Sequence, residues 1–154
     1  MFYETYKSPV GPITLTSEGA GLTSLHTGKF RIPAGWKRDP KMFRDVVRQL
    51  DDYFAGKLNK FDVPLDLKGT AFQLKVWNAM LDIPHGGTMS YGELARRIGY
   101  PKAARAVGQA SGRNPVAIIV PCHRVVGSNG SLTGYGGGLP RKAALLDLEK
   151  PKPR

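Results

Sequence analysis

A single cysteine, Cys122, lies in the motif Pro121-Cys122-His123-Arg124, directly after the five apolar residues 116–120. A free thiol has a pKa of about 8.5, and a neighbouring imidazole, guanidinium or helix terminus lowers it, which increases the fraction of reactive thiolate. A lone cysteine is most often a small buried hydrophobe, but a core strand is not normally followed by two ionisable residues. The motif therefore favours a nucleophilic thiol at the edge of a cleft.

A base and its orienting partner are available in the same half of the chain. The run at 116–120 predicts a buried strand. Because adjacent side chains of a strand face opposite sides, His123 reaches Cys122 only through a bend or a water molecule. Glu149 lies near the end of a final helix predicted to begin at Pro140, where a carboxylate opposes the helix dipole. We expect it to have a specific partner, for which a histidine is suited; an exposed surface glutamate is the alternative.

The remaining composition restricts the type of site and its location. One cysteine excludes an intramolecular disulfide and a Cys-rich zinc site, and is typical of a reducing compartment. His26 and His85 alone make a poor metal site, so we expect no metal and no cofactor.

The amino terminus carries Glu4 and turn residues instead of a basic segment followed by an apolar one, as a signal peptide would have. The central apolar run is far shorter than the ~20 residues of a membrane helix. These features predict a cytoplasmic protein without membrane contact.

Positive charge is concentrated in the second half. The 154 residues carry 23 basic and 12 acidic side chains, a net charge of +11, of which residues 1–68 contribute +3 and residues 69–154 contribute +8. No acidic residue occurs between Glu93 and Asp147. This excess of basic residues predicts a polyanionic partner such as nucleic acid. The alternative is a solvated basic face that serves solubility. The basic residues of this acid-free stretch are Arg96, Arg97, Lys102, Arg105, Arg113, Arg124, Arg141 and Lys142.

The first 68 residues predict a small antiparallel sheet and one helix. Turn residues separate short strands at 2–6, 13–17 and 22–26, and a loop follows at 28–40. Apolar residues then recur at helical spacing over 41–55, and a further short strand is predicted near residue 61. The length fits one domain, or two small ones that share a core.

The second half is predicted to be mostly helical. Thr70 and Ser90 each have a capping-box partner three residues later, and Pro101 is suited to the first position of a third helix. The second and third helices, joined by a short turn, are typical of a helix-turn-helix, although any helical hairpin has this pattern. Six glycines in 127–138 would let the backbone approach a flat ligand closely, or would form a plain linker.

Six motifs follow one another along the second half: Ser90-Tyr91, Pro101-Lys102-Ala103-Ala104-Arg105-Ala106-Val107-Gly108, Asn114-Pro115, Pro121-Cys122-His123-Arg124-Val125-Val126, Gly134-Tyr135-Gly136-Gly137-Gly138 and Leu145-Leu146-Asp147-Leu148-Glu149. In this order they resemble those of the methylated-DNA–protein-cysteine methyltransferases, the O6-alkylguanine-DNA alkyltransferases. The resemblance is strong over 69–150 and holds for the first 68 residues only in general plan. It implies an α+β fold: an antiparallel-sheet amino-terminal domain at 1–68 and a helical, winged-helix-like carboxy-terminal domain with a helix-turn-helix at 69–154.

The resemblance also implies a DNA repair reaction in which the protein alkylates itself. Cys122 would accept the alkyl group of an O6-alkylguanine or an O4-alkylthymine, between which the sequence does not choose. His123 would act through a water as its base, Glu149 would hold the useful tautomer of His123, and Asn114 would brace the turn that carries the cysteine. Because a thioether is not cleaved under mild conditions, each molecule would react once.

Four residues would contact the flipped base. By resemblance, Tyr91 would assist the leaving guanine, Val125 would offer its carbonyl, and Tyr135 and Gly136 would contribute from the glycine-rich loop. Some members of the family have serine at the position of Gly136, so in this chain only the backbone N–H can donate there to the guanine oxygen.

Arg105 would fill the gap that the extruded base leaves in the duplex. The implied partner is alkylated double-stranded DNA, bound from the minor groove without sequence preference by a monomeric protein. The other residues assigned to DNA binding are Arg96, Lys102, Ala104 and Arg113.

Two other functions stay open at this point. An alkyltransferase-like protein recognises the lesion without repairing it, but such proteins usually have tryptophan in place of the cysteine, and Cys122 argues against this alternative. A thiol hydrolase that used Cys122 and His123 would need an oxyanion hole and a water path, and its active-site pair is not normally adjacent in sequence.

Overall fold

A computed structural model of the chain describes residues 1–132, 135 and 138–151. It divides into two compact units, one that ends at Leu67 and one that begins at Lys68. The first contains a four-stranded sheet and one helix, and the second is mainly helical. The predicted α+β class is therefore confirmed. None of the described helices is both long enough and apolar enough to cross a bilayer.

The sheet of the first unit is largely the predicted meander. Strands β1 (Phe2–Ser8), β2 (Gly11–Ser17) and β3 (Leu22–Thr27) pair antiparallel in that order. A fourth strand, β4 (Lys37–Arg38), adds to the other side of β1 in parallel. It falls in the segment predicted to be a loop, because two residues are too few to show the alternation that marks a strand.

Helix α1 (Arg44–Phe54) confirms the helical spacing of the first half. Its buried face includes Val46, Leu50 and Tyr53. The strand predicted near residue 61 is wrong. The amide of Gln49 instead binds both backbone groups of Asp62: Nε2 donates to the carbonyl at 2.9 Å and the N–H donates to Oε1 at 2.8 Å. A side chain on the helix thus satisfies the polar groups that a neighbouring strand would have paired.

Three helices form the core of the second unit: α2 (Ala71–Met80), α3 (Tyr91–Arg97) and α4 (Ala104–Gly112). The capping box at Thr70 is present, and Ser90 caps α3 by accepting the N–H of Glu93 at 3.1 Å. The indole of Trp77 is buried and donates to the carbonyl of Ala110 at 2.8 Å, which fixes α2 against the end of α4.

The third helix begins later than the sequence predicts. Pro101 lies in a turn that is closed by a hydrogen bond from the Ala103 N–H to the Tyr100 carbonyl at 2.9 Å. Helix α4 begins after this turn, at Ala104. The residues before α4 therefore form the turn that connects α3 to α4. Helices α3 and α4 with this turn form the predicted helix-turn-helix.

A two-stranded sheet joins the start of α3 to the cysteine motif. Strand β5 (Met89–Ser90) pairs in parallel with β6 (Val125–Val126), with Met89 opposite Val125. The 3₁₀ helix Cys122–Arg124 comes directly before β6, and α5 (Leu139–Glu149) is the last helix. Since Ser90 ends β5 and caps α3, this pairing brings Tyr91 close to the segment that carries Cys122.

Candidate active site

The apolar residues before the cysteine form a buried turn and not the predicted strand. Two backbone bonds close it, Ile119 N–H to the Ala117 carbonyl at 2.8 Å and Val120 N–H to the Val116 carbonyl at 3.0 Å. Ile118 has a positive φ of 72°, which is rare for a β-branched residue and costs about 1–3 kcal/mol. The prediction failed because a short apolar run indicates burial and does not separate a strand from a turn.

Asn114 braces this turn from within. Its Nδ2 donates to the Val120 carbonyl at 2.7 Å, and its Oδ1 accepts from the Val116 N–H at 3.0 Å. One side chain therefore bonds both ends of the turn, and the 3₁₀ helix of Cys122 begins two residues after Val120.

We expect Asn114→Ala to lower the free energy of unfolding by about 1–3 kcal/mol, because it removes the bond to the buried Val116 N–H and leaves the Val120 carbonyl only its bond from the Cys122 N–H, at 2.8 Å. Asn78, exposed on α2, offers a matched control, for which the same change should stay within about 0.5 kcal/mol. Urea unfolding of both variants measures the difference, and equal stabilities would show that the turn does not depend on Asn114.

The thiol of Cys122 lies inside the protein and not at an open cleft edge. The residue is 7% exposed. Burial raises the pKa of the Cys122 thiol, and a hydrogen bond from Asn114 and the charge of Lys142 oppose that rise only in part. The lowered pKa expected from the adjacent histidine and arginine is thus wrong in direction. At neutral pH the resting thiol is protonated and needs a base.

That base is held by a buried carboxylate. His123 Nε2 lies 2.7 Å from Glu149 Oε2, and the two residues are 0% and 2% exposed. The alternative of a surface Glu149 is excluded, and the specific histidine partner is present. Burial lowers the pKa of His123, partly opposed by the bond to Glu149. The ring is therefore neutral at neutral pH.

The second nitrogen of His123 is available to accept a proton. Among the described residues, Nδ1 is buried and has no hydrogen-bond partner. An ionised carboxylate only accepts hydrogen bonds, so Nε2 carries the ring proton and Nδ1 carries the lone pair. The geometry thus supplies a neutral imidazole with a free lone pair at the residue that directly follows Cys122.

Two cations that the sequence analysis assigned to the basic field lie inside this site. Arg124 binds both oxygens of Glu149, and the fully buried Lys142 donates from Nζ to the Val125 carbonyl at 2.6 Å. Sequence reasoning missed both roles. For Lys142 a signal existed, because residues 142, 145 and 149 share one face of a helix and two of them are charged.

Three of the four residues predicted to contact the base lie near the cysteine motif. The ring of Tyr91 lies with its centroid 5.9 Å from Lys142 Nζ, and Val125 directly follows the 3₁₀ helix. The hydroxyl of Tyr135 is buried without a partner among the described residues; burial and then the charge of Cys122 raise its pKa. Gly136 lies outside the described residues.

The residues predicted to contact DNA are on α3, α4 and the segments that flank α4. Arg105 is exposed in the first turn of α4, and Ala104 beside it is partly exposed. Three further cations are exposed: Arg96, Lys102 and Arg113. Within the part of the chain that the structure describes, no three His, Cys, Asp or Glu side chains lie together as metal ligands would.

Comparison with known families covers both units of the chain. Residues 71–151 match the 6-O-methylguanine DNA methyltransferase, DNA binding domain, and residues 1–67 match the ribonuclease-like domain of the same enzyme. The chain belongs to this methyltransferase family. The match over residues 71–151 contains Cys122, His123 and Glu149, so the buried constellation lies in the part of the family that is described as DNA-binding.

Individual members of the family agree along nearly the whole chain. The methylated-DNA–protein-cysteine methyltransferase of Mycobacterium tuberculosis is 57% identical over 151 residues, which are 96% of this chain and 92% of that one. The same enzyme of Methanosarcina acetivorans is 52% identical over 153 residues, 97% of this chain and 98% of that one. The crystal structure of the M. tuberculosis protein OGT in complex with DNA superposes with a TM-score of 0.92 at 57% identity, covering 97% of this chain and 93% of that one.

Proposed function

We propose that this protein repairs alkylated DNA by transferring the alkyl group from O6 of guanine to Sγ of its own Cys122, once and irreversibly. The observation that carries the proposal is the buried pair of His123 and Glu149, 2.7 Å apart, beside the only thiol of a chain in this family. O4-alkylthymine, which also carries an alkyl group on an exocyclic oxygen, is a second candidate substrate.

The reaction begins with removal of the thiol proton. The proton passes from Cys122 through a water to the Nδ1 lone pair of His123, and Glu149 stabilises the imidazolium that forms. The thiolate then attacks the alkyl carbon in line, forming the carbon–sulfur bond while the carbon–O6 bond breaks. Guanine leaves with that electron pair and takes up a proton from the Tyr91 hydroxyl, which the proton held by His123 replaces through solvent, so that one proton passes overall from the thiol to guanine.

The base lies against the cysteine motif in this proposal. The Val125 carbonyl accepts from Lys142 and has a second lone pair for an amino group of the base. Tyr135 and the backbone N–H of Gly136 complete the contacts from the glycine-rich loop. To reach this site the nucleotide leaves the duplex, which costs about a few kcal/mol.

The exposed cations of α3, α4 and their flanks offset this cost through contacts with phosphates, which are independent of sequence. We propose that a monomer approaches the minor groove with α4 and that Arg105 enters the stack in place of the flipped base. Arg96, Lys102 and Arg113 would contact the backbone, and the small side chain of Ala104 would allow close approach.

We expect Arg105→Ala to slow repair of O6-methylguanine in duplex DNA by about tenfold or more, since tenfold corresponds to only ~1.4 kcal/mol of lost extrusion energy. Attack on the free base O6-benzylguanine needs no extrusion and should be nearly unchanged. Arg44→Ala removes the same charge from an exposed site on α1 and serves as the control. Equal losses on duplex and free base would assign Arg105 to the fold or to the pocket.

The proposal as a whole is tested by reacting the protein with an excess of duplex that contains one O6-methylguanine. Intact-mass spectrometry should find one methyl group per protein molecule and no further gain with time, and an unmethylated duplex should give none. Binding without a mass gain would favour the lesion-binding alternative. Continued loss of methylguanine beyond one equivalent would show a turning-over enzyme.

A further inference from the structure

Arg124 makes three hydrogen bonds from a nearly buried guanidinium. Nε donates to Glu149 Oε1 at 2.8 Å and a terminal nitrogen donates to Oε2 at 3.0 Å, the two-pronged arrangement that suits a carboxylate. The other terminal nitrogen donates to the carbonyl of Ile83 at 2.7 Å. The guanidinium is thereby fixed between α5 and the segment that follows α2.

The carboxylate of Glu149 consequently has two partners on one oxygen. Oε2 accepts from Arg124 and lies 2.7 Å from His123 Nε2. A carboxyl group that faces a guanidinium stays ionised, and an ionised carboxylate cannot donate. The proton between Glu149 and His123 therefore belongs to Nε2, which leaves the lone pair on Nδ1.

We propose that Arg124 is a positioning residue for the alkyl transfer, which fixes the Glu149 carboxylate so that His123 remains neutral with its lone pair on Nδ1. The link to alkyl transfer rests on the proposed function; the control of the imidazole does not. A guanidinium is suited to this position because it remains charged at any physiological pH and its donors form a rigid fork.

The charges around His123 agree with this role. Glu149 and Lys142 face it from α5, and Arg124 faces it from the same 3₁₀ helix; Glu149 raises the pKa of His123, whereas burial, Arg124 and Lys142 lower it. Without the guanidinium, Glu149 would attract a proton onto the imidazole more strongly. His123 would then stay protonated to a higher pH, and a protonated Nδ1 cannot accept the thiol proton.

The test is nitrogen-15 NMR of the histidine side chains in the DNA-free protein, which distinguishes both neutral tautomers from imidazolium. In the parent, His123 should be neutral with the proton on Nε2 at pH 7. In Arg124→Met, the midpoint of its titration should rise by about one pH unit or more, and the pH–rate curve of alkylation should shift to higher pH by the same amount. Arg124→Lys keeps the charge without the fork and should lie between the two.

Several outcomes separate this proposal from others. Arg44→Met, at an exposed site on α1, should leave the His123 signals unchanged. If Arg124→Met does not fold, the parent and Arg124→Lys decide: a proton on Nδ1 in the parent, or a lysine variant with the parent's titration and rate, would overturn the proposal. A parent that shows the expected tautomer but takes up no methyl group would contradict the proposed function alone.

Discussion

Cys122→Ala is expected to take up no methyl group from O6-methylguanine in DNA, while its affinity for that DNA stays close to the parent's. Cys122 is the only thiol of the chain, so no second residue can replace its chemistry. The exposed cations proposed to bind phosphates are unchanged by this substitution. Intact-mass spectrometry and a fluorescence binding assay on the same preparation measure both properties.

Cys122→Ser provides the matched control for shape. A serine hydroxyl is nearly isosteric but far less acidic than a thiol, and His123 cannot ionise it sufficiently for attack on an alkyl carbon. Both variants should therefore be inactive and folded. Methyl transfer that survives in Cys122→Ala would end the assignment of Cys122 as acceptor.

Loss of His123 or of the charge on Glu149 is expected to slow alkylation at neutral pH by about 10²–10⁴-fold, the usual contribution of a general base. Burial raises the pKa of the Cys122 thiol, so little thiolate forms without a base. Glu149 raises the pKa of His123, and Glu149→Gln would therefore make the imidazole a weaker base. In His123→Ala and Glu149→Gln, the rate should recover only in alkaline buffer, above the ordinary thiol pKa of about 8.5, where thiolate forms unaided.

The control for this experiment lies on the same helix. Asp147 is an exposed carboxylate of α5, and Asp147→Asn makes the same chemical change without touching His123. Its pH–rate curve should match the parent's. Glu149→Gln also removes the anion that faces the buried Arg124, so its melting temperature should fall. A Glu149→Gln protein with the parent's pH–rate curve and melting temperature would show that the pair has no part in the reaction.

The sequence predicts those features that depend on neighbours along the chain. The capping box at Thr70 is local chemistry, and so is the spacing of apolar residues that predicts α1. The pairing of His123 with Glu149 followed from an unfavourable carboxylate at a helix end. For the capping box and for α1, the residues that decide the structure lie within a few positions of one another. For Glu149, the carboxylate opposes the helix dipole and therefore requires a partner.

Features that depend on distant parts of the chain were not predictable in this way. Arg124 and Lys142 looked like part of a surface charge, because nothing local shows that their partners, Glu149 and the Val125 carbonyl, lie inside the protein. The buried turn before Cys122 has the same apolar composition as a strand. The raised pKa of the Cys122 thiol follows from its burial. The polar neighbours His123 and Arg124 instead predicted a thiol at the edge of a cleft.

The central claim, that Cys122 is the alkyl acceptor, is tested most directly by locating the methyl group after reaction with duplex DNA that contains O6-methylguanine. Trypsin releases residues 114–124 as one peptide, because it cleaves after Arg113 and after Arg124. Tandem mass spectrometry should find a single methyl group in this peptide, on Sγ of Cys122, in an amount equal to the methylguanine lost. A methyl group on another residue, or loss of methylguanine with an unmodified peptide, would contradict the account.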